Sequence, residues 1–260
     1  MTGHGAARDI EIRATDRAEA YLVRVGGRDQ SLVDLADPTR LDFDYVRRMG
    51  DVLDAVGEPG EPLRVVHVGG AGLTLPRYVA VTRPRSWQVV LEPDEELTAR
   101  VRAELPLPRR SGIRVRPLDG RTGLAELRDG AADVVVLDAY EDGRVPAGLV
   151  TVECFEAVAR VLGAGGVLLA NLSDRAPFGH TRDVVAGLRT LFADLVVSAE
   201  PATLRGRRPG NVLVVAGRRD VPQQALSRSA SRSAAPYRVL VGDQVGSSFG
   251  GGTVLSECTP

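Results

Sequence analysis

A glycine-rich turn and a set of acidic residues carry the chemistry that this sequence can perform. The turn Gly69-Gly70-Ala71-Gly72 follows an apolar run, and Glu92 ends the next apolar run. A glycine turn after one parallel strand and an acid at the tip of the next strand is the pattern by which α/β proteins hold a nucleoside. Glycine lets the backbone approach a ligand closely, and the carboxylate accepts hydrogen bonds from the ribose hydroxyls. The sequence therefore predicts a nucleoside site that uses Gly69, Gly70, Gly72 and Glu92.

Three more acids follow predicted strands. Asp119-Gly120 follows the third strand of the series, Asp138 directly follows the fourth, and Asp174 follows the fifth. Ligands of such sheets bind beyond the carboxyl ends of the strands, so these acids are candidates for one site. We expect Asp119 to accept a hydrogen bond from the exocyclic amine of adenine, with Gly120 leaving room for the ring. Asp138 would then lie at the open centre, beside the reacting group.

The elements that must position these residues alternate between strands and helices. This alternation predicts an α/β fold with a doubly wound, Rossmann-like sheet. Seven strands with a final antiparallel pair correspond to the S-adenosylmethionine-dependent methyltransferase type of that fold, preceded here by a short N-terminal β-hairpin. The predicted strands of the sheet are 63–68, 88–91, 113–117, 132–137, 167–171, 195–199 and 211–216.

Composition shifts suggest the limits of four segments. Residues 1–17 are polar and are predicted to be loosely ordered, and residues 18–60 hold the hairpin and an amphipathic helix. Residues 61–220 form the methyltransferase-like nucleoside-binding domain. Residues 221–260 are predicted to be a linker and a C-terminal tail, because 222–235 are rich in Ser, Ala and Arg and 246–252 are rich in Gly. A frayed helix is the alternative to a linker for residues 222–235. One more strand at 237–241 is left open.

The bulk composition excludes several classes of function. The formal net charge is −1, which gives no global attraction to nucleic acid or to anionic lipid. No apolar run approaches the roughly 18–20 residues that span a bilayer, and the polar N-terminal residues lack a secretory segment, so we expect a cytoplasmic protein with no membrane partner. The three His and two Cys residues lack metal-ligand spacing, which predicts no metal. The chain contains no lysine, so a Walker loop is excluded.

The segment from about Gln30 to Ala216 resembles the spermidine synthase (polyamine aminopropyltransferase) superfamily, and within it the short spermidine-synthase-like branch of actinobacteria. The resemblance spans most of the chain, with its motifs in the family's order. The residues that carry it are Asp29-Gln30-Ser31, Tyr45, Val68-Gly69-Gly70-Ala71-Gly72, Leu91-Glu92-Pro93-Asp94, Asp119-Gly120, Leu137-Asp138-Ala139-Tyr140-Glu141-Asp142, Pro146-Ala147 and Val161-Leu162-Gly163-Ala164-Gly165-Gly166-Val167.

The resemblance implies a transferase that uses an adenosyl sulfonium donor as co-substrate, either decarboxylated S-adenosylmethionine or S-adenosylmethionine. By resemblance, Asp138 is the catalytic acid–base residue, and Gln30 reaches the sugar or the tail of the donor. The acceptor would be a small amine such as a polyamine, bound by Tyr140, Glu141 and Asp142. Members of the family commonly dimerise, so the resemblance also implies a homodimer.

Two departures from the family pattern keep other functions open. Ala71 replaces the aspartate that grips the amine end of the aminopropyl donor in the family, and the bulky Tyr140 occupies a position that is usually small. The part of the pattern that binds the nucleoside is present, whereas the part that binds the diamine is reduced. The alternatives are therefore a methyltransferase that uses S-adenosylmethionine and a non-catalytic nucleoside-binding homologue.

Overall fold

The structure, a computed structural model, describes residues 9–219 and 221–257. Two sheets are present: a small antiparallel sheet near the N-terminus and a large, mostly parallel one. The strands are β1 (Ile10–Ala14), β2 (Ala20–Val25), β3 (Arg28–Asp34), β4 (Arg64–Val68), β5 (Trp87–Leu91), β6 (Ile113–Arg116), β7 (Ala132–Leu137), β8 (Leu162–Asp174), β9 (Asp194–Ala199), β10 (Gly210–Gly217) and β11 (Arg238–Val241). The helices are α1 (Asp44–Ala55), α2 (Thr74–Thr82), α3 (Glu95–Glu104), α4 (Gly120–Ala125), α5 (Val152–Val161), α6 (Gly179–Arg189), α7 (Pro201–Leu204), α8 (Gln223–Arg232) and α9 (Asp243–Phe249).

The large sheet has the strand order β11-β9-β10-β8-β7-β4-β5-β6. Strands β4 to β8 run parallel, and their apolar residues are buried on both faces, as expected where helices cover both sides of a sheet. The chain proceeds outward from β4 through β5 to β6, then returns to place β7 on the other side of β4. The order thus reverses between β4 and β7, which is where such sheets bind ligands.

The predicted α/β class and methyltransferase-type sheet are confirmed, with one more strand than the seven predicted. The antiparallel pair β9 and β10 forms as expected. Strand β11 then pairs with β9 and takes the edge position, which makes the sheet eight-stranded. The open question of a strand near 237–241 is therefore answered by β11.

The prediction of a loosely ordered N-terminus is wrong for residues 10–14. These residues form β1, which pairs with β2 and extends the predicted hairpin to three strands. The buried side chain of Ile10 packs into a cluster that joins this small sheet to α3, and that burial orders the strand. Residues 1–8 lie outside the described part of the chain.

The prediction of a linker and tail from residue 221 is also wrong for most of the segment, although the helix left open for residues 222–235 does form, as α8. Helix α8, strand β11 and helix α9 all pack on the domain. Phe249 is fully buried, and its ring meets that of Phe178 edge-on with the centroids 5.3 Å apart. Composition suggested flexibility because Ser and Gly dominate here, but a few apolar residues supply enough burial to dock the segment. Residue 220 and residues 258–260 are outside the described ranges.

Between residues 9 and 257, residue 220 aside, no helix combines the length and the apolar character that crossing a membrane requires.

Candidate functional site

A cavity of about 310 Å³ lies at the carboxyl ends of β4, β5, β6 and β7. The glycine turn after β4 and the acids after the other three strands all line it: Gly69, Gly70, Glu92, Asp119 and Asp138. These residues are far apart in sequence, and the reversal of strand order beside β4 brings them to one edge. The volume falls in the range of small-molecule sites, which begins at roughly 300 Å³.

The glycine turn lies so close to the residues after β7 that Gly69 has no room for a side chain. Gly69 has a φ of +92°, and a Cβ atom there would collide with the main-chain carbonyl of Asp138. Only glycine fits this position without strain. Gly70 also lines the cavity, and a Cβ there would come within 2.7 Å of Val90.

Gly72 does not line the cavity, so the structure does not support its predicted contact with the cofactor. A Cβ at Gly72 would lie 2.7 Å from the Cβ of Ser31 and 2.8 Å from Val33. The amide of Gly72 donates a hydrogen bond to the Oγ of Ser31 (3.1 Å). This glycine therefore allows β3 to pack against the turn, which is a structural role.

Glu92 joins the end of β5 to the glycine turn. Its Oε2 accepts hydrogen bonds from the amides of Gly70 (3.0 Å) and Ala71 (3.3 Å), and its Oε1 accepts one from the amide of Asp94 (3.0 Å). A carboxylate that accepts several amide hydrogen bonds is held in one orientation. Each oxygen has two acceptor sites, so Oε1 retains capacity for a ligand hydroxyl.

Asp119 caps helix α4 as well as lining the cavity. Its Oδ1 accepts hydrogen bonds from the amides of Arg121 (2.9 Å) and Thr122 (3.0 Å), and its Oδ2 accepts one from the hydroxyl of Thr122 (2.7 Å). Hydrogen bonds from the Thr122 hydroxyl and amide lower the pKa of this carboxyl, so it is ionised at neutral pH. Gly120 follows it at a crowded position, where a Cβ would contact Val68 and Leu149.

Asp138 has a raised pKa. Burial raises its pKa to about 6, and a hydrogen bond from Asn171 Nδ2 to its Oδ1 (2.8 Å) acts in the opposite direction. Asn171 lies fully buried on β8, and its own Oδ1 accepts a hydrogen bond from Asn211 Nδ2 on β10 (3.1 Å). Two amides in series therefore orient the carboxylate.

A second, smaller cavity of about 60 Å³ adjoins the first. Its other walls come from α2 and from three residues around the start of α1, which are Asp42, Phe43 and Tyr45. Burial raises the pKa of Tyr45, and the nearby charge of Asp138 adds to that effect. The residues that line both cavities are Gln30, Gly69, Gly70, Ala71, Asp138 and Tyr140.

The structure separates the three residues that the sequence assigned to the acceptor. Tyr140 lines both cavities, and its hydroxyl donates to the main-chain oxygen of Asn171 (3.0 Å). Glu141 lines the larger cavity only. Asp142 lines neither cavity, because it lies at the exposed tip of a turn with a φ of +50°. The acceptor prediction is thus unsupported for Asp142.

Asp174, the fourth strand-end acid, lines neither cavity. Its Oδ2 accepts hydrogen bonds from the amide (2.8 Å) and the hydroxyl (2.7 Å) of Thr181, in the first turn of α6.

His67 is buried, with 2% of its surface exposed, and its Nε2 lies 3.0 Å from the side-chain oxygen of Gln88. Burial lowers the pKa of His67 to about 4, so its ring is neutral at pH 7.

No group of three or more metal-ligating side chains is found among residues 9–219 and 221–257. Cys154 is buried in the core, and burial raises the pKa of its thiol to about 11, which makes it unreactive.

The fold matches several solved structures. A probable spermidine synthase from Corynebacterium glutamicum ATCC 13032 is 25% identical and superposes with a TM-score of 0.89, over 98% of this chain and 95% of that one. Over nearly its whole length the chain is therefore similar to a probable spermidine synthase. No family model matches this spermidine-synthase-like chain, and neither does any curated protein.

Two more distant structures share the fold. Human methyltransferase-like protein 13 in complex with SAH is 23% identical, with a TM-score of 0.59 over 74% of this chain and 94% of that one. A spermidine synthase in complex with the transition state analogue AdoDATO is 15% identical, with a TM-score of 0.58 over 95% of this chain and 82% of that one. Spermidine synthases and methyltransferases are both transferases, which agrees with the class predicted for this spermidine-synthase-like chain.

The sequence analysis did not identify Asn171 and Asn211, the two asparagines that orient Asp138. Asn171 ends the same apolar run that precedes Asp174, and the acid attracted the functional interpretation. A buried amide at a strand end next to a strand-end acid is the signal that could have found it, since buried polar groups need partners.

Proposed function

We propose that this protein is a transferase that binds an adenosyl sulfonium donor and alkylates an amine, with Asp138 as the base. One observation carries the proposal: Glu92, Asp119 and Asp138 line a single cavity beside a glycine turn, and Asp138 also lines the smaller cavity next to it. A donor in the large cavity and an acceptor in the small one would meet at Asp138.

The donor side of the site suits adenosine. Glu92 retains acceptor capacity for a ribose hydroxyl, and the ionised Asp119 can accept from the exocyclic amine of adenine. Apolar surface for the adenine ring comes from Val68, Leu91, Leu97 and Leu149. Solved neighbours bind SAH and AdoDATO, which supports a ligand of the adenosyl sulfur type for this chain too.

The acceptor side suits proton removal from an amine. The lone pair of the amine attacks the carbon bonded to the sulfonium, the carbon–sulfur bond breaks with its electron pair going to sulfur, and the proton of the alkylated amine passes to Asp138. A carboxylate with a pKa of about 6 is a better base near neutral pH than one with an ordinary pKa. The hydrogen bond from Asn171 holds the carboxylate in place for that transfer.

The second candidate function is methyl transfer from S-adenosylmethionine, and Ala71 is the residue that favours it. Ala71 lines both cavities and carries no charge, so at this position nothing repels the carboxylate of an undecarboxylated donor. A non-catalytic homologue that only binds the nucleoside is the third candidate, because Tyr140 narrows the acceptor side.

The three candidates differ in their products. The protein is incubated with each donor and a series of primary amines, and the products are read by mass spectrometry. An aminopropyl gain with release of methylthioadenosine is the expected result. A methyl gain would instead select the second function. Binding of methylthioadenosine with no product from either donor would leave only the third.

A further inference from the structure

His67 lines the smaller cavity, and its neighbours determine which nitrogen of its ring carries a proton. The main-chain oxygen of Pro76 can only accept hydrogen bonds, and Nε2 of Gln88 donates to it (3.0 Å). The side-chain oxygen of Gln88 therefore faces His67, so the ring nitrogen 3.0 Å away, Nε2, must carry the hydrogen that this oxygen accepts. Because the ring is neutral at pH 7, its other nitrogen, Nδ1, carries a lone pair.

Nδ1 of His67 has no partner within the protein and is open to the cavity. Among residues 9–219 and 221–257, no group donates a hydrogen bond to this nitrogen. The described side-chain atoms that are both sealed from solvent and without a partner do not include it. Since buried polar atoms need hydrogen-bond partners, the donor for Nδ1 has to come from whatever occupies the cavity.

His67 and Asp138 lie close together on one face of the large sheet. His67 on β4 is paired with Val136 on β7, and the amide of Asp138 donates to the main-chain oxygen of Val68 (2.9 Å), so the pairing continues to Asp138. Residues two apart share a face of a strand, which puts both side chains on the face that α1 and α2 cover. The strand spacing and the rise per residue place their Cα atoms roughly 8 Å apart.

The polar groups around the smaller cavity differ in what they can still bind. Asp42 is paired with Arg17, whose Nη1 lies 2.8 Å from its Oδ2. The hydroxyl of Tyr45 and the amide of Gln30 can donate as well as accept. Oδ2 of Asp138 accepts no hydrogen bond from the described residues, since the amide of Asn171 goes to Oδ1. An ionised Asp138 and the neutral His67 thus each present one open atom that can only accept.

We propose that His67 binds the acceptor amine through Nδ1 and that His67 and Asp138 together select a primary amine. An uncharged primary amine has two N–H groups and one lone pair. When Nδ1 of His67 accepts one N–H group and Oδ2 of Asp138 accepts the other, the lone pair is left free to attack the carbon bonded to the sulfonium. This inference rests on the proposed function, because it takes Asp138 as the base.

The two acceptors have different parts in the reaction. As the new carbon–nitrogen bond forms, the carbon–sulfur bond breaks with its electron pair going to sulfur, and the amine proton passes to Asp138. His67 has a pKa of about 4, below the value of about 6 for Asp138, so its ring keeps its lone pair and does not compete for the proton. A secondary amine has one N–H group and leaves one of the two acceptors unpaired, which is costly in a buried site.

Methylation of the amine tests this selection. The values of kcat/KM are compared for 1,4-diaminobutane and N,N′-dimethyl-1,4-diaminobutane. The wild-type protein is expected to favour the primary amine by about tenfold or more, because the methylated amine leaves a buried acceptor unpaired. Absence of this preference would overturn the inference and leave the proposed function standing, since alkylation itself would still be observed.

His67→Phe is the variant that assigns the preference to His67. Phenylalanine keeps a ring of similar bulk, so any steric effect of the methyl groups remains while the acceptor atom is lost. The preference for the primary amine should fall by about fivefold or more. An unchanged preference in a folded His67→Phe variant would overturn the inference.

Nitrogen-15 NMR of the imidazole tests the contact without catalysis. The chain has three histidines, so a variant with His4→Asn and His180→Asn keeps His67 as its only histidine. With methylthioadenosine bound, Nδ1 should be unprotonated, and its signal should shift when 1,4-diaminobutane is added. The fully methylated bis-quaternary analogue, which has the same chain and charge but no N–H group, should cause no shift. A proton on Nδ1, or the same shift with both compounds, would overturn the inference.

The NMR result also separates this inference from the proposed function. If no amine is alkylated, the proposed function fails, and a shift with the diamine alone would still support His67 as a binding residue for amines. No shift with the diamine would overturn the inference whether or not alkylation is observed. The same measurement decides the matter if the His67→Phe variant does not fold.

Discussion

The two cavities that meet at Asp138 are built in different ways. The larger one is bounded by the glycine turn and by acids held through main-chain amides, as Glu92 and Asp119 are. The smaller one is bounded by side chains, with the rings of Tyr45 and Tyr140 among them. A single substitution can reshape a wall made of side chains, whereas the path of the main chain in the glycine turn is set by the strand order. Under the proposed function, nucleoside binding depends on the fold, while acceptor choice depends on a few residues of this chain.

Asp138→Asn is expected to have the largest effect on turnover, because Asp138 lines both cavities. Loss of a general base lowers kcat by about 10²–10⁴-fold, measured as product formation at saturating donor. Binding of methylthioadenosine should stay near the wild-type value, since Glu92 and Asp119 remain.

The same variant should be more stable than wild type above pH 6. Burial raises the pKa of Asp138 in the folded state to about 6, above its unfolded value, so wild-type stability falls as pH rises from about 4 to 6 and stays lower above that. Asparagine carries no charge, so the variant avoids about 1–2 kcal/mol of the cost of burying an ionised carboxylate. Thermal unfolding at pH 4 and pH 8 checks the sign: the two proteins should converge at the lower pH.

Asp174→Asn is the matched control for Asp138→Asn. It alters an acid at the end of the neighbouring strand that lines neither cavity. It should weaken the start of α6 by about 1 kcal/mol and leave turnover unchanged. Equal losses of turnover in both variants would mean that the effect of Asp138→Asn is general and not due to a base.

Glu92→Gln should weaken binding of the donor and leave the acceptor side unchanged. The amide nitrogen cannot accept hydrogen bonds, so either the turn or the ligand loses a charged acceptor, which costs about 1.5–3 kcal/mol. Calorimetry should show that the Kd for methylthioadenosine rises by about 10–100-fold. Glu95→Gln, on the exposed first turn of α3, provides the control. An unchanged Kd for Glu92→Gln would refute its assignment to the ribose.

Asn171→Ala is expected to have the smallest effect and to act only through Asp138. Removing the hydrogen bond leaves burial unopposed, so the pKa of Asp138 rises above about 6. The acid limb of the pH profile of kcat/KM should move upward by up to about one pH unit. The Kd for methylthioadenosine should be unchanged. An acid limb that stays in place would show that Asn171 does not tune the base.

The sequence predicted the scaffold better than the details of the site, and particular residues show why. Glu92, Asp119 and Asp138 were predictable, because strand ends in a doubly wound sheet converge on one edge. Asp174 satisfied the same rule, but its carboxylate binds Thr181 in the first turn of α6, since an acid at a strand end can serve a helix as well as a ligand. The sequence gives the residue type and its place at a strand end, but not the direction of the side chain. It therefore does not distinguish an acid that meets a ligand from one that binds the start of a helix.

Other features depended on contacts between distant segments. Gly72 was predicted to meet the ligand, yet it meets β3, about forty residues earlier in the chain, and only tertiary packing decides between these partners. The docking of α9 through Phe249 was hidden by the surrounding glycines. The assignments of individual residues to ribose, adenine and acceptor stay predictions.

The hydrogen bond between Ser31 and Gly72 has a consequence for protein engineering. It ties the three-stranded sheet to the glycine turn, and the same sheet contributes Gln30 to both cavities. Residues 10–34 thus form a wall module that carries none of the strand-end acids and packs on α3 through the cluster that includes Ile10. Recombining this module with its counterpart from a relative would vary the recognition of ligands while the acids stay in place, provided that the incoming strand keeps a small hydroxyl residue opposite the turn.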